Sequence, residues 1–153
     1  MLNLVFNNFT TNKKHGPRFF RGIIQKAIKQ LGFEGKNLEL SVNLVGRGKI
    51  KSLNKKYLGK NKATDVLSFP LGEEVSAKTA RNGIIALGDI FICLPEARRG
   101  ASREGLGLNS KLALLTVHGL LHLLGHHHEK SRKGAEKMFK LQEKILKHLA
   151  FSV

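Results

Sequence analysis

The chain has 153 residues, 41% of them hydrophobic, the size of one ordinary domain able to bury a core. No apolar run reaches the roughly 18 residues that a membrane-spanning helix needs, and a single cysteine, Cys93, excludes an intramolecular disulfide framework. Lys and Arg number 27 against 11 Asp and Glu, a net charge of +16 that points to a polyanionic partner and away from a membrane protein.

The N-terminus, MLNLVFNNFTTNKK, lacks a basic leader and a long apolar centre. It does not read as a secretory signal, and cytoplasmic residence is the expectation. Asn3 to Phe6 reads as a short strand. Pro17 opens a helix with Phe20, Ile23, Ile24, Ala27, Ile28 and Leu31 at helical spacing, closed by Gly32. In residues 37–45 Leu38, Leu40, Val42 and Leu44 alternate, as on a half-buried strand. A basic helix over 49–58 follows, with Ile50, Leu53 and Tyr57 on its inner face.

Residues 64–70, TDVLSFP, read as a strand stopped by Pro70, and the polar stretch 71–83 as a loop. Residues 84–93 read as a strand bent near Gly88. Pro95 starts a helix that runs through Glu104. Asn109 or Ser110 caps the next helix, which runs to Gly125. Ser131 begins a last amphipathic helix with Met138, Leu141, Ile145 and Leu149 inward. With no repeat or long linker, residues 1–153 read as a single α+β domain.

The charge is uneven. Residues 46–62, GRGKIKSLNKKYLGKNK, contain no acid. Arg47, Lys55, Lys56, Lys60 and Lys62 are therefore the candidate phosphate contacts of a nucleic-acid surface. In the last helix Glu129, Glu136 and Glu143 sit among lysines, which reads instead as ordinary surface ion pairing.

Five of the seven histidines fall in residues 117–129, VHGLLHLLGHHHE. His118 and His122 lie four apart and share one helix face. Gly125 permits a chain reversal, and His128 follows three residues later. The pattern H-x-x-x-H-x-x-G-x-x-H has the ligand spacing of metzincin zinc sites. Three imidazoles would hold one Zn2+ per chain, or another divalent metal, and leave a position open for water. One feature of those proteases is missing. The residue after the first His is Gly119, not the Glu that serves as base. A zinc-activated water acting on a phosphodiester suits both this absence and the positive charge. Asp65 and Asp89 are candidates to orient a His or a water, against plainer roles as a turn residue and a strand-end acceptor. Ser68 and Cys93 read as a strand serine and a small buried side chain.

HGLLHLLGHHH (118–128), TDVLSFP (64–70), LGDIFI (87–92) and LNKKYLGKNKA (53–63) together resemble the YbeY family of bacterial rRNA maturation factors. The resemblance implies a small mixed four-stranded sheet packed by about five helices, with a metzincin-like metal site of His118, His122 and His128. It implies a zinc-dependent, single-strand-specific endoribonuclease acting in 16S rRNA 3′-end maturation and ribosome quality control. The implied partners are rRNA precursors and the small ribosomal subunit. Four positions depart from the family pattern. Leu58 stands where the family carries Arg, His127 where it carries Asp, and Asn61 and Ala63 where it carries Asp and Pro. His127 and Asp65 remain possible helpers of a metal-bound water, with no catalytic residue assigned. The alternative is an RNA-binding ribosome-assembly factor with weak or no nuclease activity. A metallohydrolase for other substrates is a third reading, and Gly119 argues against a peptidase.

Overall fold

In the computed structural model, which describes residues 1–72, 83–126 and 131–149, strands and helices follow in the order β1 (Leu2–Asn8), α1 (Pro17–Gln30), β2 (Asn37–Val45), α2 (Arg47–Leu58), β3 (Val66–Pro70), β4 (Ile84–Cys93), α3 (Leu94–Glu104), α4 (Leu108–Leu123) and α5 (Arg132–Lys147). The strands form a sheet of order β1-β2-β4-β3. β2 pairs parallel with both β1 and β4, while β3 lies antiparallel along the outer edge of β4. This is the expected α+β arrangement of a mixed four-stranded sheet and five helices. Most of the loop expected over 71–83 lies outside the described residues.

Side-chain alternation divides the sheet into two faces. Leu38, Leu40, Val42 and Leu44 are all buried, and with Leu4 of β1 and Ile90 of β4 they build the larger core under α1, α4 and α5. α4 is the hub, in contact with β3, β4, α1, α3 and α5. Its sequence is apolar nearly all round, as a helix buried on most sides requires. On the opposite face α2 covers a smaller core of Val45, Ile50, Leu67 and Cys93. Burial pushes the Cys93 thiol above its ordinary pKa, which disfavours the thiolate and agrees with a packing role.

The bend expected near Gly88 is a β-bulge. The β2–β4 register steps from Glu39–Ala86 to Leu40–Gly88. Gly88 has φ +132°, and a Cβ there would lie 2.2 Å from the Phe69 carbonyl oxygen. The missing side chain of Gly88 is what lets β3 lie this close to β4.

Two local expectations are corrected. Tyr57 is 56% exposed and meets the Phe69 ring edge-on at 5.2 Å. Asn54 takes the buried position, and its Nδ2 donates to the Lys62 carbonyl at 3.0 Å. Helical spacing favoured Tyr57, but a side-chain amide that can anchor the following loop wins the inner site. α4 begins at Leu108 with Gly107 as N-cap, ahead of Asn109 and Ser110. The Asn109 side chain is taken by His15, whose Nε2 lies 2.6 Å from Asn109 Oδ1. Ser131 caps α5 as expected, its Oγ accepting from the Gly134 N–H at 2.9 Å. Among the described residues no helix is long and apolar enough to cross a membrane.

Candidate metal centre and RNA cleft

His118 and His122 project from one side of α4 with ring centroids 4.7 Å apart. Their Nε2 atoms are 3.1 Å apart. Two nitrogens bound to one tetrahedral zinc at about 2.0–2.1 Å would stand about 3.3 Å apart, so the pair fits a shared ion. The other His118 ring nitrogen, Nδ1, lies 2.9 Å from Gln142 Oε1. Gln142 sits on α5 and is 8% exposed. An amide oxygen only accepts, so Nδ1 carries the proton and the Nε2 lone pair faces outward, the tautomer that a metal ligand needs.

Sequence reading missed Gln142. It lies four residues after Met138 and three before Ile145, on the buried stripe of α5. A polar residue at such a position must find a partner, and that was the available signal.

α4 ends as the glycine predicted. Gly125 has φ +100°. The Gly125 N–H donates to the His122 carbonyl at 3.1 Å, and the His126 N–H to the Leu121 carbonyl at 3.0 Å. This paired closure reverses the chain. His126 is half-buried. His127 and His128 lie outside the described residues. The structure thus brings together two of the three expected imidazole ligands, and among the described residues no group of three His, Cys, Asp or Glu ligands forms.

Gly119 has a steric explanation. A Cβ there would lie 2.9 Å from Ile90 Cγ2 and 3.1 Å from Ser68 Oγ. α4 crosses β3 and β4 at this residue, and Ser68 Oγ donates to the Gly119 carbonyl at 3.3 Å. The position beside the first histidine is filled by the sheet, which leaves no room for a carboxylate.

The two histidines open into a cleft of 440 Å³. One wall is β3, through Val66, Ser68 and Pro70. The other is the end of α2 and its following loop, through Leu58, Lys60 and Lys62. Gly59, at φ +70°, ends α2. The Lys60 N–H donates to the Asn54 carbonyl at 3.3 Å, and with the Asn54–Lys62 bond this ties both lysines to the helix. Leu58 is 53% exposed at the cleft wall.

Asp65 also lines the cleft, with its Oδ2 3.6 Å from Lys111 Nζ. Lys111 is 4% exposed and lies 3.0 Å from both carboxylate oxygens of Glu104. Gly100 of α3 makes room for it, since a Cβ there would lie 2.9 Å from Lys111 Cε. A lone lysine opening the apolar run of α4 was the overlooked sign of this buried ion pair. Asp89 plays no part in the cleft. It pairs with Phe69, on the sheet face opposite Ser68, and accepts from Ser41 Oγ in a polar chain that continues through Asn43 to Asn7. Its role is the plain structural one.

The basic candidates separate by position. Lys60 and Lys62 line the cleft. Arg47 lies 2.7 Å from Glu96 and borders a second hollow with Lys51 and Lys62. Lys55 and Lys56 are exposed in the last turn of α2, with Lys56 Nζ 5.2 Å from the Tyr57 ring centre.

A family model described as Endoribonuclease YbeY matches residues 5–150. An Endoribonuclease YbeY of Persephonella marina is 37% identical, covering 94% of this chain and 93% of its own length. That of Sulfurihydrogenibium sp. is 38% identical, with 95% and 91% covered. That of Oenococcus oeni is 45% identical over 72% and 71%. A solution structure of a Thermotoga maritima protein superposes with TM-score 0.65 at 26% identity, covering 97% of this chain and 89% of that one.

Proposed function

The chain belongs to the endoribonuclease YbeY family, and from that premise we propose that it is a metal-dependent, single-strand-specific endoribonuclease that acts on rRNA precursors, at the 16S 3′ end, and in ribosome quality control with the small subunit as partner. The observation that carries the reading is the pair of Nε2 atoms at 3.1 Å in a cleft that also holds Lys60 and Lys62. His118 and His122, with His128 as third ligand, would hold one zinc. When bound, that ion supplies Lewis acidity and lowers the pKa of a coordinated water towards neutrality.

The chain's own residues do the rest. Gln142 fixes the His118 ring so that Nε2 meets the metal unprotonated. Lys60 and Lys62 hold RNA phosphates over the histidines as point charges. Gly119 lets α4 lie close to the sheet and contributes no base. Asp65, steered by Lys111, is the carboxylate that lines the cleft among the described residues and is a candidate to take a proton, and His127 is a further candidate. Labelled single-stranded and duplex RNA of one sequence test the function directly. The single strand should be cut, the duplex spared, and a chelator should stop the reaction. Cleavage that is indifferent to chelation would overturn the proposal.

Removing Gln142 should act on the metal before it acts on RNA. Gln142→Leu is expected to weaken zinc affinity about 10- to 100-fold, measured by competition with a chromogenic chelator. Gln142→Glu keeps an acceptor at the same atom and should restore tight binding. Equal affinities for all three proteins would remove Gln142 from the site.

The two lysine pairs should differ in their salt dependence. Each phosphate contact to a single strand contributes about 0.7 to the slope of log affinity against log salt. Lys60→Gln with Lys62→Gln should lower the slope by about 1.4. Lys55→Gln with Lys56→Gln should lower it by less. The reverse order would move the RNA path away from the histidine cleft.

A further inference from the structure

β3 is an edge strand, and its free edge faces the histidine cleft. The ladder bonds fix which backbone groups point outward. The Cys93 N–H donates to the Asp65 carbonyl at 2.8 Å, and the Leu71 N–H to the Leu87 carbonyl at 3.0 Å. In an antiparallel pair alternate residues bond to the neighbour. Asp65, Leu67, Phe69 and Leu71 therefore turn their polar groups towards β4, and Val66, Ser68 and Pro70 turn theirs away from it. Pro70 has no N–H to offer, and it occupies a register position where none is needed by the sheet. Val66 and Ser68 are left as outward donors, about 6.6 Å apart along the strand. Val66, Ser68 and both histidines line the same cleft.

We infer that the Val66 and Ser68 backbone amides bind the phosphate backbone of the RNA at the site of cleavage. The inference rests on the function proposed above and adds the groups that hold the reacting phosphate. Charge decides the occupant. Lys60 and Lys62 line the same cleft, α2 contains no acid, and the Asp65 carboxylate is drawn to Lys111. An anionic strand is favoured there over a neutral peptide. Backbone donors aimed at developing oxygen charge act as an oxyanion hole does, and rigid strand amides need no reorganisation. A lysine offers a mobile point charge, whereas two amides on one strand offer fixed directions. They carry no sequence information, which suits a nuclease that reads strand state more than bases.

Proline at an outward edge position removes one donor and no ladder bond. Val66→Pro and Ser68→Pro are the test. A backbone ester at Ser68, made with the α-hydroxy acid, serves if the proline variants do not fold. Single-turnover cleavage of a single-stranded RNA is measured together with zinc content. Loss of about 100-fold in the proline or ester proteins, with zinc content unchanged, is the expected result. Full cleavage by the ester protein overturns the inference. If the wild-type protein itself fails to cut the RNA, it is the proposed function that has failed.

Discussion

His122→Ala should lose RNA cleavage by about a thousandfold or more, on the order of 4 kcal/mol of barrier, while the protein stays folded. His122 is half-buried on the cleft side of α4, whereas its neighbours Leu121 and Leu123 are fully buried in the core. Removing the imidazole therefore takes a proposed ligand and leaves the Leu121 and Leu123 packing in place, and the melting temperature should move by only a few degrees. His118→Ala should behave differently. It loses cleavage too, but it also strands the buried Gln142 amide without the ring it accepts from. An unsatisfied buried polar group costs about 1–3 kcal/mol, so this variant should be measurably less stable than His122→Ala. Cleavage within tenfold of wild type in both variants would take the histidines out of the chemistry.

Gly119→Glu should destabilise the fold and confer no peptidase activity. On paper the change restores the H-E-x-x-H pattern of zinc proteases. In the structure a Cβ at 119 meets Ile90 Cγ2 at 2.9 Å, Ile90 Cδ1 at 3.2 Å and Ser68 Oγ at 3.1 Å. α4 would have to lift from β3 and β4, at about 1–3 kcal/mol for the overpacking alone. The carboxylate would then lie against Ile90, and burying it adds further cost. Replacing a helical glycine returns only about 1 kcal/mol of propensity. A net loss on the order of 3 kcal/mol corresponds to a fall of about 10 °C in melting temperature for a chain of this size. Gly119→Ala meets the same contacts without the charge and should fall between. A Gly119→Glu protein as stable as wild type would mean that α4 has slack here.

The elements that periodicity could mark were legible in the sequence. Leu38, Leu40, Val42 and Leu44 alternate and all face the core. Gly125 reverses the chain, and Ser131 caps α5. These are local signals, fixed by side-chain direction and backbone freedom within a few residues. Contacts that depend on two distant segments meeting were not legible. Gln142 meets His118 across 24 residues, and Lys111 reaches Asp65 from another element. Neither has a spacing to betray it. Asn54 displaced Tyr57 from the inner face of α2 because of a carbonyl eight residues ahead. The reason for Gly119 was visible only once α4 lay on the sheet; from the sequence it was merely a missing base. His128 follows from spacing alone and stands as a proposal for the third ligand.

Metal stoichiometry combined with X-ray absorption at the zinc edge tests the metal centre most directly. Protein dialysed against zinc and freed of excess should hold about one ion per chain. Its spectrum should fit histidine nitrogens at about 2.0–2.1 Å with no sulfur neighbour. The His118→Ala, His122→Ala double variant should hold none. A sulfur ligand, or a full complement of zinc in that double variant, would place the metal elsewhere and contradict the assignment.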